Sequence, residues 1–219
     1  MGEPFSVRDC ALIAIATGQY ANTLTELRDR LEIIPVSSIY YHFWGGLLRP
    51  RFDDPEYQND FAVWANQGLH DKPLAERLAQ IDPSEHHDLE SLRAELIDVL
   101  EERMDEGEFL PWIRASQRFY FVRSQTVVFD TRILLDTPGQ LGELITHLSP
   151  GSVFYHFIDA RRRPPWGRDD FSHWVHACGD AYAELAEQIA QVDPYFISLV
   201  ELREELARVF AVYLPEGGA

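Results

Sequence analysis

Ser38-Ile39-Tyr40-Tyr41-His42-Phe43 returns later in the chain as Ser152-Val153-Phe154-Tyr155-His156-Phe157, with changes only between close apolar equivalents. A second block follows each copy. Asn59-Asp60-Phe61-Ala62-Val63-Trp64 places its Asp60 eighteen residues after His42, and Asp169-Asp170-Phe171-Ser172-His173-Trp174 places its Asp170 fourteen residues after His156. The same two blocks in the same order read as a duplication, and that reading decides the fold class.

Working outward, Thr23 with Glu26 three residues on makes a capping-box pattern, and Leu24, Leu27, Leu31 and Ile34 form one apolar stripe. The counterpart begins at Thr137-Pro138 and carries Leu141, Leu144, Ile145 and Leu148, with proline at a tolerated first-turn position. The histidine stretch then predicts a central helix capped by Ser38 or Ser152, on which Ile39, His42 and Phe43 share one side. It ends near Gly45-Gly46 in the first copy and before Pro164-Pro165 in the second.

Asn59 and Asp169 are N-cap residues for a third helix, with Asp60 and Asp170 where the helix dipole favours negative charge. Leu74 to Asp82-Pro83 and Leu185 to Asp193-Pro194 form a fourth pair. Leu89 to about Met104 and Leu199 to about Leu214 form a fifth, sharing Leu-Arg-x-Glu-Leu at 92–96 and 202–206. Ahead of the helices, residues 5–16 suit a short strand pair. Phe119–Val122 and Thr126–Phe129 flank Arg123-Ser124-Gln125 as a hairpin would. The expected fold is mainly α with α+β character: a tandem pseudo-twofold repeat of two small helical modules, each with a short N-terminal β element. The modules run over 1–106 and 119–219, joined by a linker at 107–118 that contains Gly107 and Pro111.

Composition narrows the function classes. A formal charge of -17 over 219 residues opposes nucleic-acid binding, because phosphates reward basic surfaces, and it disfavours anionic lipid for the same reason. No apolar run reaches the ~18 residues that span a bilayer, and the N-terminus lacks the basic start and apolar run of an export signal, so a cytoplasmic protein is expected. Cys10 and Cys178 occupy unmatched positions of the two copies and suggest neither a disulfide framework nor structural zinc. No cofactor is implied.

A Leu-rich helix, then Tyr41-His42-Phe43, Asn59-Asp60-Phe61-Ala62-x-Trp64 and Leu-Ala-x-x-Leu, resembles a bacterial and archaeal domain family of unknown function. The resemblance covers nearly the whole chain, twice over. The second copy keeps Tyr155-His156-Phe157 and Asp170-Phe171-x-x-Trp174 but departs at Asp169 and Ser172. It implies a small helical module and brings no established activity.

Three constellations could carry chemistry. His42 with Asp60, and His156 with Asp170, are candidate catalytic pairs, since a carboxylate beside an imidazole fixes its tautomer and raises its basicity. The same pair can be a buried polar clip that sets how two helices cross, and the clip carries more weight because no Ser, Cys or Lys nucleophile keeps a fixed short spacing in both copies. His156, His173 and His176 make a weak candidate metal set, but Val63 and Asn66 replace two of them in the first copy. Arg49 and Arg51, with Arg161, Arg162, Arg163 and Arg168, follow the two histidine helices and are candidate anion ligands; equally, they offset helix C-termini and neighbouring carboxylates. The expected function is a non-catalytic accessory or interaction protein with a protein partner or homodimer. The alternative is a small-anion binder or enzyme using the His–Asp pairs with the arginine loops.

Overall fold

A computed structural model describes residues 3–49, 56–163 and 167–213; Arg51 and Pro164-Pro165 lie outside the described residues. The fold is α+β and mainly helical, with two long strands that pair with each other as a two-stranded sheet, β1 (Phe5–Ala21) and β2 (Phe119–Leu135). The Thr17 hydroxyl bonds the Phe121 carbonyl at 2.7 Å and the Thr131 hydroxyl bonds the Val7 carbonyl at 2.5 Å. The strands therefore run in opposite directions.

This corrects both β expectations. Residues 5–16 belong to one unbroken strand instead of a strand pair, and Arg123-Ser124-Gln125 continues β2 instead of turning it. The trio lacks the glycine or asparagine that a tight primed turn requires. Its polar side chains fit the half-exposed middle of a strand just as well.

The chain divides into two compact units, residues 12–125 and residues 1–11 with 126–219. Residues 107–118 fall inside the first unit. There the Ala115 N–H bonds the Asn22 carbonyl at 2.7 Å and the Ser116 N–H bonds the Gly68 carbonyl at 2.8 Å.

Within unit 12–125 stand α1 (Leu24–Ile33), α2 (Val36–Trp44), α3 (Asp60–Gln67), α4 (Lys72–Ala79) and α5 (Leu89–Asp105). Thr23 caps α1 by accepting the Glu26 N–H, and Glu26 returns a carboxylate to the Asn22 N–H. Leu24, Leu27 and Leu31 on α1 and Leu92, Leu96 and Leu100 on α5 are fully buried where the two helices pack. Each such leucine contributes roughly 1.5–3 kcal/mol of transfer free energy. Arg93, in the shared Leu-Arg-x-Glu-Leu motif, donates to the Leu31 and Ile34 carbonyls and so closes the C-terminal end of α1.

The other unit holds α6 (Pro138–Ile145), α7 (Pro150–Val153), α8 (Asp170–Ala177), α9 (Ala183–Ala190) and α10 (Leu199–Tyr213). Thr137 and Gln140 form the capping box of α6, and Arg203 on α10 donates to the Leu148 carbonyl. Here the histidine stretch is not one α-helix. After the short α7 comes a π turn over Phe154–Ile158 and a 3-10 turn over Asp159–Arg162.

The serine caps are also corrected. Ser149 accepts the Ser152 N–H at the start of α7, while α2 has Pro35 at its N-cap position and no side-chain cap. Ser38 lies inside α2, and its hydroxyl donates to the Val122 carbonyl at 2.8 Å. Asn59 and Asp169 do cap α3 and α8, accepting from Ala62 N–H and Ser172 N–H.

Candidate functional site

In unit 12–125, α2 carries His42 and the start of α3 carries Asp60. His42 Nδ1 lies 2.8 Å from Asp60 Oδ2, and Nε2 accepts the Val122 N–H at 3.0 Å. A ring nitrogen that accepts an N–H holds no proton, so the neutral ring carries its proton on Nδ1 and donates it to Asp60. The ring is only 4% exposed and lies against Phe119 and Phe61, with centroids 4.7 and 5.3 Å away. Burial holds the His42 pKa below the ordinary imidazole value despite the Asp60 carboxylate. Burial pushes the Asp60 carboxyl up, but the hydrogen bond and charge of His42, with those of Arg49, outweigh it and leave it low.

The unit of 1–11 and 126–219 repeats this arrangement. His156 is 2% exposed; Nδ1 lies 2.7 Å from Asp170 Oδ2 and Nε2 accepts the Arg8 N–H at 2.8 Å. Phe5 and Phe171 flank it at 4.8 and 5.5 Å. The same unit has Trp174 donating to the Glu3 carbonyl at 2.9 Å, as Trp64 in unit 12–125 donates to the Gln117 carbonyl at 2.7 Å. Each indole therefore ties its helix to the chain just before a strand.

Both imidazoles consequently have both nitrogens engaged inside the protein. A general base needs one nitrogen free to reach a substrate proton, and a metal ligand needs one free lone pair. Neither ring offers either. Of the weak metal set, His173 is half-buried and His176 exposed. No group of three or more His, Cys, Asp or Glu side chains suited to a metal ion occurs among the described residues.

The arginines separate by what holds them. Arg161 donates to the Ala190 and Val192 carbonyls at 3.1 Å each, closing the end of α9, and its guanidinium lies 4.4 Å from the Phe157 ring centroid. Arg163 donates to Asp170 Oδ2 at 2.7 Å, the Tyr155 hydroxyl at 2.8 Å and the Tyr155 carbonyl at 2.9 Å. Arg49 has one weaker bond, 3.4 Å to Asp60 Oδ2, and sits 4.7 Å over the Tyr41 ring. Arg162 and Arg168 are exposed.

An open cleft lies beside each His–Asp pair. That of unit 12–125 has a volume of about 290 Å³ and includes Tyr41, Arg49, Asp60, Trp64, Arg118 and Tyr120 in its lining. That of the other unit has about 460 Å³ and includes Glu3, Arg8, Tyr155, Arg163, Asp170 and His173. Sequence reasoning missed Arg118 and Arg8 as cleft residues, and it missed the backbone N–H groups of Val122 and Arg8 as the second histidine partners. The signal available was the alignment of Phe5 with Phe119 at the heads of the two strands, which sets Arg8 against Val122.

Cys10 is buried, its thiol pushed up to about 12 by burial and by the neighbouring Asp159 and Asp9. An ordinary reactive thiolate is excluded there. Cys178 is half-buried, and both cysteines are free.

These features define an α+β, predominantly helical protein in which an Asp-bound histidine recurs in two compact units. The chain belongs to the family of unknown function DUF5752, whose family model matches residues 2–211. No curated protein matches it. It is similar to the solved structure of OrfY from Thermoproteus tenax, with a TM-score of 0.82 and 26% identity, covering 96% of this chain and 95% of that one. Among the described residues no helix is long and apolar enough to cross a membrane.

Proposed function

We propose that the chain is a non-catalytic, cytoplasmic accessory protein that acts by binding a protein partner. It is a tandem duplication, modules 1–106 and 119–219 joined by 107–118, in which the histidines fasten helices to strands in a pseudo-twofold arrangement. The observation that carries this reading is the engagement of all four imidazole nitrogens within the fold. A duplicated polar pair that is buried and satisfied on both sides stabilises architecture and leaves no proton-transfer group for a substrate.

A protein partner is favoured by one stretch of unit 12–125. Phe109, Trp112 and Ile113 are 77%, 68% and 46% exposed, three large apolar side chains within five residues. Isolated exposed apolar residues are ordinary, but a contiguous group including Trp and Phe is the composition of a contact surface. The exposed group also fits a second copy of the chain as partner.

A photo-crosslinking amino acid at position 112 tests this in cells. One discrete crosslinked protein, lost when Phe109 and Ile113 become serine, is the expected result. Absence of any crosslink, together with turnover of a small substrate that His42→Asn abolishes in a folded protein, would refute it.

A further inference from the structure

The cleft beside His42 has a chemistry that is unusual for so acidic a protein. Acidic residues outnumber basic ones by 36 to 19 in the sequence, yet this lining holds two arginines, Arg49 and Arg118, against the single carboxylate of Asp60. Two further amide side chains, Gln67 and Gln117, are exposed at its wall. Both guanidiniums lie over tyrosine rings, Arg49 at 4.7 Å from the Tyr41 centroid and Arg118 at 4.5 Å from that of Tyr20.

A guanidinium held over a ring by cation–π attraction still has N–H groups to offer a planar or tetrahedral oxyanion. It also restrains two long side chains in advance, which lowers the ordering cost that weakens most surface anion contacts. Among the described residues the Arg118 side chain makes no hydrogen bond or ion pair, and the Arg49 guanidinium makes only its 3.4 Å bond to Asp60. The rest of the lining includes the rings of Tyr41, Trp64, Phe119 and Tyr120, of which Tyr120 is exposed, and suits an apolar body attached to the anionic group.

The equivalent cleft of the other unit lacks this poise. Arg163 is tied by three hydrogen bonds to Asp170 and Tyr155, Pro4 lines the wall as Arg118 does here, and Glu3 adds a second carboxylate to the lining. We infer that the cleft formed by Arg49, Arg118, Gln67 and Gln117 binds one small organic oxyanion, a phosphate monoester or carboxylate on an aromatic or apolar body. It does so once per chain. The inference rests on His42 being a fastener, since the ring beside the cleft is then a wall and not a reagent.

Isothermal titration of the full chain with phenyl phosphate and with benzoate tests it, with benzyl alcohol as the neutral comparison. One site per chain is expected for at least one of the two anions, and the arm that binds identifies the source of the charge. Arg118→Ala and Arg49→Ala should each weaken binding tenfold or more, added salt should weaken it further, and Arg8→Ala in the other cleft should leave it unchanged. Circular dichroism of Arg118→Ala should match the parent, because that side chain is exposed and makes no hydrogen bond to a described residue.

No binding of either anion, equal binding of benzyl alcohol, binding that survives both substitutions, or two sites per chain would overturn the inference. Release of phenol from the ester, abolished by His42→Asn, would sink the fastener reading and the inference with it, whereas simple failure to bind sinks the inference alone.

Discussion

His42 shows what one side chain does when both of its nitrogens are committed. Its removal leaves the Val122 N–H and the Asp60 carboxylate without their buried partner, so His42→Ala should cost a few kcal/mol of stability, measured by urea denaturation at pH 7. The pH dependence has a definite sign. The folded ring takes up a proton less readily than the ordinary value of 6.5, so the unfolded chain protonates first and stability falls as pH drops below about 6.5. Asp60 acts the same way lower down: its folded pKa is depressed, so its contribution is present above the unfolded value and is lost as pH falls through the folded one. The parent protein should therefore lose more stability between pH 7 and about 4 than His42→Ala does. An equal loss in both would remove His42 as the cause. The His–Asp pairing was legible in the sequence because both residue types recur at the same places. The other half of the clip was not, because a backbone N–H 80 residues away, or 148 in the second copy, carries no side-chain identity to read.

At the scale of elements, the helices were legible where caps and apolar stripes agree, as at Thr23, Thr137, Asn59 and Asp169. They failed where packing overrides pattern. Gly151 sits so close to β1 that a Cβ there would lie 2.3 Å from the Cys10 carbonyl oxygen, and the turns that follow it tighten and loosen into 3-10 and π geometry. The strands hold a comparable local feature. Gly18 in β1 has φ +76°, and Arg132 in β2 has φ 61°. In each case the preceding threonine hydroxyl accepts the N–H of the following residue, Gln19 or Ile133. A left-handed residue inside a strand marks a bulge, and glycine adopts it without the penalty that arginine meets. Arg132→Gly should raise stability by roughly 0.5–1 kcal/mol, while Gly18→Ala should lower it, both read as shifts in the denaturation midpoint. The strands were found but misread as hairpins, since a polar trio in mid-strand and a polar turn look alike without a long-range partner to pair with.

For the whole molecule, the sequence repeat and the compact units are cut at different places. Unit 12–125 is continuous, containing α1 to α5 and the head of β2 that reaches His42. The other unit draws its first eleven residues from the opposite end of the chain, and those residues supply Phe5 and the N–H that reaches His156. A fragment of residues 12–125 should therefore melt cooperatively by itself, followed by circular dichroism. A fragment of residues 126–219 should not, until a peptide of residues 1–11 is added. Cooperative melting of the second fragment without the peptide would show that those residues are dispensable. The contribution of residues 1–11 was hidden from sequence because apolar alternation reports that a strand is half-buried and not which helices bury it. One consequence concerns synthesis. The ribosome releases Phe5 and Val7 well before α6 to α10, so that segment waits, greasy and uncovered, until the helices of its own unit have followed. Chaperones and proteases meet it in that interval, and slowing elongation late in the message should reduce yield more than slowing it early.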